Sequence, residues 1–163
     1  MSLERIFPKE TIVVPVESSE KDELLEELVE KIVQKMKNQR SDFSEIDRAE
    51  VISALLEREK AMSTGIMESV AVPHALVSSI KAGSIGAIGI SREGIDWDSL
   101  DGRPVRVVFL ILGAKDETES HIQVLKSLAT VLQVSGFIEK LCSLSSPSDV
   151  FDALRLAEET GTV

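Results

Sequence analysis

Leu24, Leu25, Leu28, Ile32 and Met36 recur every three or four residues and predict an amphipathic helix. Ser19 followed by Asp22 has capping-box form at its start, while Glu26, Glu27, Glu30 and Lys37 fall on the opposite, solvated face. The polar stretch Asn38 to Ser44 separates it from a second helix. Asp47 with Glu50 caps that one, and Val51, Ile52, Leu55 and Leu56 form its buried side. The pattern then changes. Val70-Ala71-Val72 is a short apolar segment ended by Pro73, and Ser84 to Ser91 is an isoleucine-rich strand whose Gly83, Gly86 and Gly89 invite bulges or close backbone approach rather than a phosphate loop. Arg92-Glu93-Gly94 and Asp101-Gly102-Arg103-Pro104 read as turns. Val105 to Leu112 is nearly continuous and β-branched, as expected of a strand buried on both faces. Thr118 is the expected cap of a helix running to about Leu132, with Ile122, Leu125, Leu128, Ala129 and Leu132 inward. A short helix follows Gly136, and a last one has Ser146 as cap, Pro147 in its first position and Asp149 completing the box.

Helices before, between and after strands predict a layered α/β domain rather than a bundle or a sandwich. The 163 residues suit a single domain with one sizeable core, and a 43% apolar fraction excludes a disordered chain. No repeat, low-complexity tract or long linker interrupts it. The formal net charge of −10, from 28 acids and 18 bases, argues against nucleic acid and anionic membranes as partners and favours a basic partner protein. Cys142 stands alone, so no intrachain disulfide is possible, and a reducing cytoplasm is the expected compartment. No stretch approaches a membrane span, and Met1 to Pro8 lacks signal-peptide layout.

Two histidines carry the chemistry open to this composition. His74 directly follows Val70-Ala71-Val72-Pro73, where a strand that cannot continue its ladder turns the next side chain out at the sheet's end, a common ligand position. A half-buried histidine with a local hydrogen bond fits the same position. His121 lies in the first turn after Thr118, where free N–H groups and the helix dipole favour an anion; taken alone, the position reads first as a solvent-facing residue. Arg58 ends the second helix, where it serves either as a terminal cation or as a planar fork for phosphate oxygens. Two histidines and one distant cysteine make a poor metal set, and no cofactor is called for.

Glu57-Arg58-Glu59, Ser63-Thr64-Gly65-Ile66 and Val70-Ala71-Val72-Pro73-His74-Ala75 together resemble the active-site signature of the enzyme IIA domains of the bacterial phosphotransferase system (PTS). The type is the fructose/mannitol one, which includes the nitrogen-regulatory IIA proteins. Gly94-Ile95-Asp96-Trp97 is similar to the turn after that family's next strand, and Ser120-His121-Ile122-Gln123-Val124-Leu125 to its second-histidine helix. The matches are collinear from about Ile6 to Ala157. The resemblance implies a central mixed β-sheet with helices on both faces and His74 as the phosphorylation site. His121 and Arg58 would stabilise charge, with Ser63 or Thr64 as further oxygen ligands. It also implies a histidine-phosphorylated carrier protein of HPr type as donor, and a IIB domain or a regulatory protein as recipient. The lack of fused IIB or membrane IIC segments in this sequence tilts the expectation toward the regulatory branch, with sugar transport as the alternative and an interaction module without phosphotransfer as a third. Met67 stands where the family usually has glycine or alanine. Met67 and Glu68, just before the histidine strand, are the expected docking contributors.

Overall fold

Val105–Ala114 (β6) is the axis of the structure, a computed structural model that describes residues 2–39 and 46–161, with Ile66 and Met67 described in their backbone only. Every β6 residue except Arg106 is buried, as its unbroken apolar run requires. One edge of β6 pairs antiparallel with Ser84–Ile95 (β5), and the other pairs in parallel with Val70–Ala71 (β3) and then His74–Val77 (β4). Ile12–Val13 (β1) extends the sheet in parallel beyond β5, and Gly65–Met67 (β2) lies antiparallel outside β3. The sheet is therefore mixed, as expected.

Strand alternation divides the core. Val107, Phe109 and Ile111 face one apolar cluster, built with Leu3–Ile6 (α1), Thr118–Leu132 (α4), Phe137–Ser143 (α5) and Pro147–Gly161 (α6). Val108, Leu110 and Leu112 face the other, built with Lys21–Gln39 (α2) and Arg48–Ala61 (α3). Helices cover both faces of the sheet. Asp47 caps α3 by accepting the Glu50 N–H at 3.1 Å, and the Ser146 hydroxyl caps α6 by accepting the Asp149 N–H at 3.1 Å.

Five local expectations need correction. Helix α2 begins at Lys21, so Ser19 is not its cap. The entering segment is held instead by Glu27, expected on a merely solvated face, whose carboxylate accepts the N–H groups of Glu17 and Ser18 and the Ser18 hydroxyl. Helix α2 also runs on through Asn38 to Gln39, while 40–45, the rest of the polar stretch, lie outside the described residues. Arg92-Glu93-Gly94 is not a turn but part of β5, where the register against β6 shifts between Ile90 and Ile95 and Gly94 takes φ +87°. Thr118 is the first residue of α4, and Glu117 precedes it as N-cap. The buried side of α4 is also rotated: His121, Val124, Leu128, Val131 and Leu132 point inward, whereas Ile122 and Ala129 are exposed and Leu125 is half-buried.

Candidate functional site

Pro73 does not end the sheet edge but interrupts it. β3 pairs Val70 and Ala71 with Val107 and Val108, the Pro73 carbonyl accepts the Ile111 N–H at 2.9 Å, and β4 resumes with His74 opposite Ile111. A proline has no N–H to give the ladder, so two short strands share one edge and His74 sits at the break between them. This corrects the expectation of a histidine beyond a finished strand.

His74 Nδ1 lies 2.8 Å from the Val72 carbonyl oxygen. A carbonyl only accepts, so Nδ1 carries the proton and Nε2 keeps its lone pair. Burial holds the His74 pKa below the ordinary imidazole value. The Val72 carbonyl works against that shift, the Arg58 charge adds to it, and Glu59 opposes it. His74 is therefore neutral near pH 7 with a fixed tautomer.

His121 comes from the opposite direction, on the inward side of α4. Its ring centroid is 5.7 Å from that of His74, with the planes tilted by 44°. The residue is only 5% exposed, and neither ring nitrogen has a hydrogen-bond partner among the described residues. Burial, then the neighbouring His74, lowers its pKa. Its backbone N–H already donates to the Glu117 carbonyl, so the side chain rather than a free helix-end N–H faces the site. Gly113 of β6 makes room for it: a Cβ there would stand 2.8 Å from His121 Nδ1 and 3.1 Å from Leu76 Cδ2.

A cavity of about 230 Å³ opens beside the His74 ring. Arg58, Thr64, Val72 and His74 line one side, and Leu125, Leu128, Ala129 and Leu132 of α4 line the other. The outward rotation of α4 thus leaves an apolar wall next to the histidine. Half-buried Arg58 donates from Nη1 to the Met62 carbonyl at 2.8 Å, closing the end of α3 while its charge reaches His74. The terminal-cation reading of Arg58 is realised, and its side chain also lines the cavity beside His74.

The hydroxyl pair is engaged elsewhere. Ser63 donates to the Trp97 carbonyl at 2.9 Å, and Thr64 donates to the Glu59 carboxylate. Glu59 also accepts the Thr64 N–H at 3.1 Å and pairs with Lys21 Nζ at 2.8 Å. The Trp97 indole N–H donates to Thr64 Oγ1 at 3.3 Å, with the Lys21 ammonium 5.1 Å from the Trp97 ring centroid. Thr64 thus reaches the cavity wall with its hydroxyl hydrogen already placed. Lys21 and Gly113 stand outside the sequence motifs, and Glu59 and Trp97 stand in them without an assigned role. One signal was available: Glu59 continues the spacing of Val51 and Leu55, which puts an acid on the buried stripe of α3. Nothing local marks Gly113.

Of the two docking candidates, the Met67 side chain lies outside the described residues. Glu68 is exposed and lines a different cavity, with Arg103 and Arg106. Among the described residues no group of three or more His, Cys, Asp and Glu is placed to hold a metal, and no helix is long and apolar enough to cross a membrane.

Residues 5–156 match the family described as phosphoenolpyruvate-dependent sugar phosphotransferase system, EIIA 2. The fructose-specific EIIABC component of Bacillus subtilis is 32% identical over 155 residues, 94% of this chain, which spans 23% of that relative's length. The nitrogen regulatory protein IIA-Ntr of Neisseria meningitidis superposes with a TM-score of 0.81 at 30% identity, covering 93% of this chain and 98% of that one. The mannitol enzyme IIA of Escherichia coli, solved in complex with phosphorylated enzyme IIB, superposes with a TM-score of 0.67 at 27% identity, covering 89% of this chain and 94% of that one.

Proposed function

The chain belongs to the EIIA 2 family of the phosphoenolpyruvate-dependent sugar phosphotransferase system, and on that premise we propose that it carries a phosphoryl group on His74 Nε2, taken from a histidine-phosphorylated carrier protein and passed to a second protein. The observation that carries this reading is the Nδ1–H to Val72 carbonyl bond at 2.8 Å, which fixes the tautomer with a nucleophilic Nε2.

In the transfer step the Nε2 lone pair attacks the donor's phosphorus. The new N–P bond forms as the donor's N–P bond breaks, and that bonding pair stays on the donor imidazole, which leaves neutral. The His74 ring takes up the positive charge that the donor ring loses. The Val72 carbonyl, already accepting from Nδ1, offsets it. The phosphoryl oxygens then enter the cavity that His74 and Arg58 line, with the His121 ring 5.7 Å from that of His74. Two unpartnered nitrogens on a buried imidazole suit this role, because one can donate to an oxygen that is present only after transfer. Arg58 adds a fixed cation. Ser63 and Thr64 keep a positioning role: they tie the segment after α3 to Glu59 and Trp97, and so set the wall from which Arg58 approaches.

The apolar wall on α4, with exposed Ile122 beside it, is the docking face for both protein partners. The recipient is a regulatory protein in the reading supported by the likeness to the Neisseria meningitidis nitrogen regulatory protein. Sequence identity to the fructose-specific Bacillus subtilis component supports a IIB domain instead. Incubation with phosphoenolpyruvate, enzyme I and the carrier protein should place one acid-labile phosphoryl group on the wild type and none on His74→Ala. Undiminished labelling of that variant would refute the assignment. Chase of the label onto a purified IIB domain separates the two recipients.

A further inference from the structure

Two arginines of this acidic chain, Arg103 and Arg106, gather at the far end of the β3–β6 edge, Arg106 lying about five residues or roughly 17 Å along β6 from the level of His74. A cavity of about 340 Å³ lies there, lined by Arg103, Arg106, Glu68, Glu139, Ile138 and Cys142. Among the described residues neither Arg103 nor Arg106 has an ion pair or a side-chain hydrogen bond, and the Arg106 Nε is buried without an acceptor. Arg106 is half-buried, and its one buried donor without an acceptor is costly, so an anion is the natural partner for the pair.

The surrounding backbone holds that arrangement. The β5 irregularity that the sequence presented as a turn brings Gly94 against the arginine stem, since a Cβ on Gly94 would lie 3.7 Å from Arg106 Cγ. The same irregularity carries Arg92 to the carbonyls of Cys142 and Leu144, where it donates to both and fixes the end of α5. On the other rim the Ser69 carbonyl accepts the N–H groups of Arg106 and Val107 at 2.7 and 3.0 Å. Glu68 and Ser69 have φ of +37° and +71°, a region that costs non-glycine residues energy and marks functional turns. Burial pushes the Cys142 thiol upward in pKa, so the thiol supplies a neutral wall, not a charge.

We propose that this cavity is a binding site for a small hydroxylated phosphate monoester, with Arg103 and Arg106 on the phosphate. The two guanidiniums match a dianion. The cavity is larger than inorganic phosphate needs, and Glu68 and Glu139 accept hydroxyl hydrogens while repelling a second anionic group. A polyphosphate is thereby disfavoured. The site is separate from His74 and does not depend on its phosphorylation.

The test is an NMR titration of the full chain with glucose 6-phosphate, using inorganic phosphate and glucose as single-feature controls. Saturable shifts at Ser69, Arg103 and Arg106 are expected, with glucose 6-phosphate binding more tightly than either control. Exposed Arg103→Ala should weaken binding about tenfold, the loss of one charge-assisted contact, and Arg106→Gln should weaken it further, while His74→Ala should leave it unchanged. Three results would overturn the proposal. One is the absence of saturable binding; another is equal affinity for inorganic phosphate. The third is loss in His74→Ala with retention in Arg103→Ala, which would put the anion at the histidine pair.

Discussion

Gly113→Ala tests whether the placement of His121, and not merely its presence, governs transfer. The added Cβ would stand 2.8 Å from His121 Nδ1, against ordinary contact near 3.4 Å, so the ring must retreat by about 0.6 Å. It cannot rotate into solvent, because it is 95% buried, and Leu76 blocks an alternative adjustment at 3.1 Å. A misplacement of about 1 Å costs roughly 10² in rate, so about 0.6 Å predicts a slowing of roughly 10- to 10²-fold. Overpacking costs about 1–3 kcal/mol, and the entropy gained on replacing a strand glycine returns part of it, leaving about 1–2 kcal/mol of destabilisation. Gly102→Ala is the control. A Cβ there meets nothing within 4 Å, but its φ of +73° imposes about 1–2 kcal/mol of strain without touching the histidine. Rapid-quench transfer from the phosphorylated carrier, with thermal melts of both variants, separates the two effects. If Gly113→Ala transferred at the wild-type rate, or slowed no more than Gly102→Ala, the argument that β6 sets the position of His121 would fail.

His121→Ala is expected to fold and to be labelled, but about 10²–10³ more slowly, as for the loss of one transition-state donor; a normal rate in stopped-flow transfer would make the residue a bystander. In the wild type, ¹⁵N titration should show the His121 pKa rising once His74 carries a phosphoryl dianion, because an adjacent negative charge favours imidazolium. Arg58→Lys keeps a cation able to reach the Met62 carbonyl, so its melting temperature should change little while transfer slows; lost stability with normal transfer would reduce Arg58 to a helix cap. Both histidines have folded-state pKa values below the ordinary value of 6.5, so below that pH the unfolded chain binds more protons. Stability is accordingly complete above about pH 6.5 and declines as pH falls toward the folded values. Melts across pH 4–7 check the sign, and His121→Leu should flatten the decline.

Whatever depends on near neighbours was legible along the chain. The stripe of Leu24, Leu25, Leu28 and Ile32, the caps at Asp47 and Ser146, and the β6 run all appear as their local patterns require, since periodicity and capping are properties of residues a few positions apart. The ordered motifs around Arg58, His74 and His121 were legible for the same reason. Each is short, and their order along the chain survives folding. What those motifs do to one another depends on packing across the fold. α4 shows two apolar stripes that differ by a small rotation, and the choice between them rests on what packs beneath: Gly113 leaves space for His121 to turn in, and Leu125 and Ala129 are turned toward the cavity. Proline at position 73 is equally compatible with a strand's end and with an interrupted edge, and the length of β6 settled it by offering Ile111 beyond Val108 for His74 to pair with. Glu59 became a buried acid because Lys21, Thr64 and Trp97, from three separate segments, meet its carboxylate or share its network. Such placements depend on distances across the fold, between residues that share no local pattern.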